Sequence, residues 1–287
     1  GCCVNYLSDA REDGAMSNSA SSLPIAVPII AGTAIKGLAA NVMMRGVMER
    51  HPNAFLVTLQ SFGVTVPLTK SQTHIADDIS KGLAAQGRLP DCPIVLVGHS
   101  QGALAALRYA IDNPEQVKHV FSIGCPWHGS VSAGFLSNRV AKLTGRNFVP
   151  ALRDMAPNSP FLADLHADIP QIADRVTNIY STHEIFIRPY VSAHIDVPGV
   201  SNVLIATNDE YAKHLRTFPD LPVDELVLGR VTHAGEMNTP EVRSLVWRKV
   251  DDLTGQIRLN RLNGKPAKAR PPTQRSGSAD SAATTAL

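Results

Sequence analysis

An excess of charge of one sign is the first thing this sequence lacks. Its 27 Lys and Arg stand against 25 Asp and Glu, a formal net charge of +2 over 287 residues. No general affinity for nucleic acid follows from such a balance. A membrane-length apolar run is also missing: the longest, around residues 23–31, is too short to span a bilayer and holds Pro24 and Pro28. The start at Gly1 has no basic n-region or long h-region, so no complete signal peptide is expected, and without an initiator Met it reads as processed or trimmed. Cysteine is scarce, with 4 in the chain. Cys92 reads as entering a strand and Cys125 as leaving the next. A parallel pair puts them at opposite sheet edges, beyond the roughly 7 Å between Cα atoms that a disulfide tolerates, so both are expected as small buried thiols. Gly1-Cys2-Cys3 has the character of a lipidation remnant, although Asn5 breaks the N-myristoylation pattern. There is no internal repeat and no cluster with metal-ligand spacing, so neither metal nor organic cofactor is expected.

What is present suits a globular chain with a sizeable core: 44% hydrophobic and 18% charged residues. Residues 1–22 are polar and rich in Ser, Asn and Ala, and the C-terminal segment 257–287 carries KPAKARPPTQRSGSADSAATTAL, mostly Pro, Ala, Ser, Thr and basic residues. Both read as flexible or disordered segments, because they have little to bury. Between them, residues 23–256 alternate strand-length apolar runs with helical patterns. LPIAVPIIAG, NAFLVTL, PIVLVGH, VKHVFSIG, RVTNIYST and SNVLIAT read as strands. AIKGLAANVMMRGVMERHP reads as a helix, with Met43, Met44 and Met48 as packing residues. THIADDISKGLAAQGR reads as a helix from Ser71 or Thr73, SQGALAALRYAIDNPEQ as one ended by Asn113-Pro114, and PEVRSLVWRKVDDLTG as one with Pro240 in its first turn. Continuous apolar strands between amphipathic helices predict an α/β fold, a mostly parallel sheet covered on both faces. Function in such sheets collects at the carboxyl ends of the strands.

One strand-to-helix junction carries chemistry. IVLVGHSQGALAAL places Gly98, Ser100 and Gly102 in G-x-S-x-G. The pattern alone is weak, arising by chance in roughly one chain of this size in ten at ordinary Gly and Ser frequencies. Its context raises it. A turn this tight strains the backbone of its central residue and needs small neighbours where main chains pass closely. It lifts the Ser100 hydroxyl above the sheet and aims the Gln101 N–H, at a helix N-terminus, toward any oxyanion formed there.

The chain thereby resembles α/β-hydrolases of the lipase/esterase, triacylglycerol lipase-like kind, over roughly residues 23–250. GHSQGAL is similar to that family's nucleophile elbow, with Ala103 where a further Gly is common. SIGCPWHGS resembles its strand-end segment "TPHxGS", with Cys125 for Thr. PALRDMAPNSPFLADL resembles the "PxSxFLxxL" segment that follows the lid, and IYSTHEIFIRPYVSA the strand and loop carrying the acid. The resemblance implies a triad in chain order Ser, acid, His. His233 follows a predicted strand and precedes the last helix, the place of the base; His51 and His74 precede the nucleophile, and His183, His194 and His214 lie in or near the acid-bearing region. His99 is expected to point away from the pocket and His128 to pack or hydrogen-bond near the site. Glu184 stands where the family has Asp, with Asp196 and Asp209, the latter in a loop, as rivals. The resemblance places the second oxyanion donor at Thr33, after Gly32, with Ala31 where many members have His. Residues 127–172 are long for one connection between core strands, and Phe135, Leu136, Val140 and Leu143 share one helical face opposite Arg139 and Lys142, which reads as a lid or cap over the site or as an extra helix packed shut against the core.

The function so implied is carboxylic-ester hydrolysis through an acyl-enzyme on Ser100, His233 and Glu184. A lipid or other carboxylic ester is the implied substrate, which leaves room for transient contact with a membrane or lipid interface. Acyl transfer or thioester cleavage by the same triad, and a non-catalytic scaffold binding lipid or protein, stand as alternatives. A secreted or cell-envelope location is implied only by the resemblance.

Overall fold

The computed structural model describes residues 25–32, 51–57, 66–130, 150–233 and 235–263. Its strands are β1 (Val27–Ile30), β2 (Ala54–Val57), β3 (Ile94–His99), β4 (Val117–Ile123), β5 (Val176–Ser181), β6 (Ser201–Ala206) and β7 (Glu225–Leu228). Its helices are α1 (Leu68–Ala85), α2 (Gln101–Asp112), α3 (Pro150–Asp154), α4 (Pro160–Asp168), α5 (Asn208–Thr217) and α6 (Pro240–Leu262). The strands form a 7-stranded sheet in the order β2-β1-β3-β4-β5-β6-β7. Every pairing is parallel.

Burial of the central strands on both faces explains their unbroken apolar runs. In β3, Ile94 and Leu96 join the core under α1, α2 and α4, with Ile79, Leu83, Leu104, Leu107, Phe161 and Leu165. The alternate residues Val95 and Val97 face the other way, onto Val242, Val246, Trp247 and Val250 of α6. This is the two-residue period of a pleated strand. The same alternation puts His99 on the α6 side.

The structure departs from the sequence expectations in places, for identifiable reasons. Helix α1 begins at Leu68 rather than at Ser71 or Thr73, because Asp154 Oδ2 accepts a hydrogen bond from Leu68 N at 2.7 Å. That cap comes from 86 residues away and leaves no local signature. Asp209 is not in a loop. It lies in the first turn of α5, which opens with a capping box between Thr207 and Glu210. Helix α6 passes the expected edge at residue 256 and continues to Leu262. Of the proposed 127–172 cap, α4 belongs to the domain body, since Phe161, Leu162 and Leu165 are core residues. The apolar face from Phe135 to Leu143 lies outside the described residues, as do Thr33, Met43, Met44, Met48, Cys2, Cys3, residues 1–22 and the tail from 264 on. Cys92 and Cys125 are buried and form no disulfide among the described residues, and burial pushes the Cys125 thiol up to about 12.

Candidate active site

The parallel sheet brings the carboxyl ends of β1, β3, β4, β5 and β7 to one edge, and the candidate residues stand on the segments leaving them. Ser100 follows β3 with φ 57° and ψ −127°, a conformation forced by turning from strand to helix within one residue. Its amide donates to the Ile123 carbonyl at 2.8 Å, and its carbonyl accepts from Ala103 N at 2.9 Å. The flanking glycines are there for space. A Cβ on Gly98 would stand 2.6 Å from the Ala103 Cα and the Gly102 oxygen, and one on Gly102 would stand 2.3 Å from the Ile30 oxygen. Both are backbone collisions that no rotamer relieves. Gly32, after β1, sits against Ser100 itself: a Cβ there would meet the Ser100 Cβ at 2.8 Å.

Glu184 and His233 come from the ends of β5 and β7 and meet. His233 Nδ1 lies 2.6 Å from Glu184 Oε2. The other carboxylate oxygen accepts from the backbone N–H groups of Phe186 at 2.7 Å and Ile187 at 3.3 Å. Burial alone would raise the Glu184 carboxyl. The His233 hydrogen bond and charge and the two amides outweigh it and hold the group below its ordinary value. The loop bearing His233 is drawn back across the sheet edge by Ser181 Oγ, which donates to the Val231 carbonyl at 2.7 Å.

Among the described residues no hydrogen bond joins the Ser100 hydroxyl to the His233 ring. The two are registered through His99, whose Nε2 lies 2.9 Å from the His233 carbonyl oxygen. That ring nitrogen is therefore the protonated one. Burial pushes the His99 imidazole down to about 3, with His233 acting in the same direction. His99 does not point away from the site, as the sequence predicted. Its ring centroid is 4.6 Å from that of His233, because the loop after β7 crosses on the α6 side of the sheet.

The rival residues are committed elsewhere. Asp196 accepts from Trp127 Nε1 at 3.1 Å and lies 3.3 Å from His128 Nε2, so both anchor the segment after β4. Neither is bonded to His233. His183 contacts Arg230 and Glu210, His194 Nδ1 meets the Tyr180 hydroxyl, His214 Nδ1 meets Tyr190, and His51 stacks on Trp247. Gln101 is buried at the first position of α2.

Sequence reasoning missed Glu236. It is wholly buried, with Oε2 3.8 Å from His233 Nδ1 and 4.0 Å from His99 Nε2. These three are the one trio of metal-type donors gathered within 4.8 Å among the described residues. They do not fit a metal centre, since His233 Nδ1 is taken by Glu184 and His99 Nε2 by a carbonyl. The available signal was the spacing H-A-G-E, which returns a carboxylate toward the histidine within one turn.

Residues 61–190 match the family model described as the alpha/beta hydrolase fold. With its all-parallel sheet covered by helices on both faces, the chain has the α/β-hydrolase fold. Among solved structures it is similar to one of LipS and LipT, two metagenome-derived lipolytic enzymes, at 12% identity and TM-score 0.49, covering 80% of this chain and 94% of that one. It is also similar to MGS-MChE2, an alpha/beta hydrolase from a lagoon-sediment metagenome, at 17% identity and TM-score 0.45, covering 79% and 91%. Against the Bacillus licheniformis lipase BlEst2 the identity is 14% and the TM-score 0.44, covering 80% and 91%. No curated protein matches the chain.

Proposed function

We propose that the protein is a serine carboxylic-ester hydrolase, of lipase or lipid-esterase type. The observation that carries this reading is the strained corner at Ser100 on the same sheet edge as a His233–Glu184 pair 2.6 Å apart. Ser100 attacks the ester carbonyl while His233 Nε2 takes its proton, a contact that tightens when substrate is in place. Glu184 holds the His233 ring in the tautomer with Nδ1–H and balances the imidazolium that forms. The N–H of Gln101 binds the tetrahedral oxyanion, and Thr33, beyond the described residues, is the proposed second donor, with Gly32 keeping the nucleophile's flank open. His233 then protonates the leaving alkoxide, and water hydrolyses the acyl-enzyme by the same route reversed.

An apolar acyl or alkyl group is favoured by the approach to the base. The Phe186 ring stands edge-on to the His233 ring at 5.4 Å, yet Phe186 and its neighbour Ile185 are 57% and 49% exposed. No described helix is long and apolar enough to cross a membrane.

The test is p-nitrophenyl ester hydrolysis and fluorophosphonate labelling of wild type and Ser100→Ala. Wild type is expected to turn over the ester and take the label at Ser100. Ser100→Ala is expected to lose at least about 10³-fold in kcat and all labelling. Hydrolysis undiminished in the variant overturns the assignment.

A further inference from the structure

Glu236 has no role in the chemistry above, yet the structure is built around its carboxyl group. Gly124, at the end of β4 with φ +54°, lacks the Cβ that would stand 2.3 Å from Glu236 Oε2. The carboxyl fills that space beside the His233 ring. Among the described residues neither of its oxygens meets full hydrogen-bond geometry, and the Ser181 backbone gives it only the smallest of the pulls on its carboxyl. A buried polar group so poorly partnered is costly, and a methionine or leucine would fill the volume without that cost. The side chains facing it that titrate are His233, His99 and Glu184.

We propose that Glu236 is a second acid partner of His233, a positioning residue that can accept the Nδ1–H hydrogen bond in place of Glu184. The inference rests on reading His233 as the general base. Two carboxylates converging on one imidazole nitrogen do not ionise together. Glu184, with three donors, is the charged one. Glu236 is the neutral one: burial raises its carboxyl well above the ordinary value and the Glu184 charge adds to this, against a smaller opposite pull from the Ser181 backbone. Removing the Glu184 charge removes that repulsion. Glu236 then gives its proton to solvent, and its oxygen has to move only about 1 Å, from 3.8 Å to hydrogen-bonding distance, to accept from His233 Nδ1. Its place on the turn Glu236–Asn238, three residues past His233, keeps it in reach wherever that loop goes.

The experiment is a double-mutant cycle in the full chain, with wild type, Glu184→Gln, Glu236→Gln and the double variant. Ester hydrolysis is read from about pH 5 to 10, alongside fluorophosphonate labelling of Ser100 and circular dichroism. Glu184→Gln is expected to fall only tenfold to a hundredfold, against about 10⁴-fold for a base stripped of its sole acid. Its residual rate should rise with pH through one ionisation absent from wild type. Glu236→Gln alone should cost a few-fold. The double variant should fall at least another tenfold and lose that ionisation. Should Gln at 236 impair folding, Glu184→Gln/Glu236→Met makes the same comparison. A double variant no slower than Glu184→Gln, with the same pH profile, overturns the proposal while a labelled wild type leaves the hydrolase reading standing. A wild type that neither labels nor hydrolyses overturns both.

Discussion

A serine at φ 57° and ψ −127° occupies a region that side chains rarely adopt. Holding it there costs about 1–3 kcal/mol, drawn from the surrounding packing. Ser100→Gly relieves that strain, so it is expected to raise the unfolding temperature by a few degrees while abolishing labelling. Calorimetry beside fluorophosphonate labelling checks the pair of outcomes. A stability unchanged or lowered would mean the corner is not strained. At this scale the sequence was readable where residue type and chain order coincide. Ser100 lies between glycines at a strand end, and Glu184 and His233 follow strands in the required order. Glu236 was passed over: the H-A-G-E spacing sets it three residues from His233, but a glutamate between Gly235 and Met237 looks like any surface acid until the fold closes over it. His99 was misread because the strand's alternation gives the side of the sheet but not which loop crosses there.

Among the elements, the corner depends on β1 as much as on β3. Ile30 pairs with Gly98 in the sheet, and the Ile30 carbonyl passes so close to Gly102 that a Cβ would approach within 2.3 Å. Gly102→Ala must therefore displace β1 or open the corner. Overpacking of this kind costs about 1–3 kcal/mol. The variant is expected to melt several degrees lower and, on the proposed chemistry, to lose kcat at least tenfold with KM little changed, because the displaced backbone carries Ser100. Full activity in Gly102→Ala would show the approach to be slack. Helices and strands with strong periodicity were legible. Helix α5 was not, since its residues NDEYAKHLRT bury only His214 and its start is set by a capping box. Strand β7, ELVL, is a short edge strand with mixed exposure and gives little pattern to read.

For the whole molecule, the alternation of buried strands and amphipathic helices was enough to predict the parallel sheet with two covered faces that the structure has. The far end of α6 escaped because Gly255 reads as a helix stop, yet the helix runs through it. The same burial that makes the fold sets its acid limit. Burial pushes His99 and His119 down to about 3 and His194 to about 4, so all three stay neutral in the fold at pH values where the unfolded chain protonates them. Their stabilising contribution is complete above the unfolded value near 6.5 and is lost as the pH falls below it. Glu236 acts in the opposite sense, because its raised carboxyl keeps a proton that the unfolded chain releases above about 4.5. Burial pushes His51 and His128 down as well, so the histidines outnumber Glu236 and the fold is expected to lose stability as the pH falls from about 6 toward 4.5. Urea unfolding at pH 7.5, 6 and 5 checks this. A midpoint that holds steady or rises over that range would contradict it.

The 2.9 Å tether from His99 to the His233 carbonyl gives the two halves of the chemistry a common mount. The residue before Ser100 grips the main chain of His233, not its ring, whose only fixed point among the described residues is the Glu184 contact at Nδ1, so any tilt of the imidazole pivots there while its anchorage stays in step with β3. Under the proposed ester chemistry, whatever shifts as substrate arrives can then be confined to a swing of one ring, with no second act of assembly at each turnover.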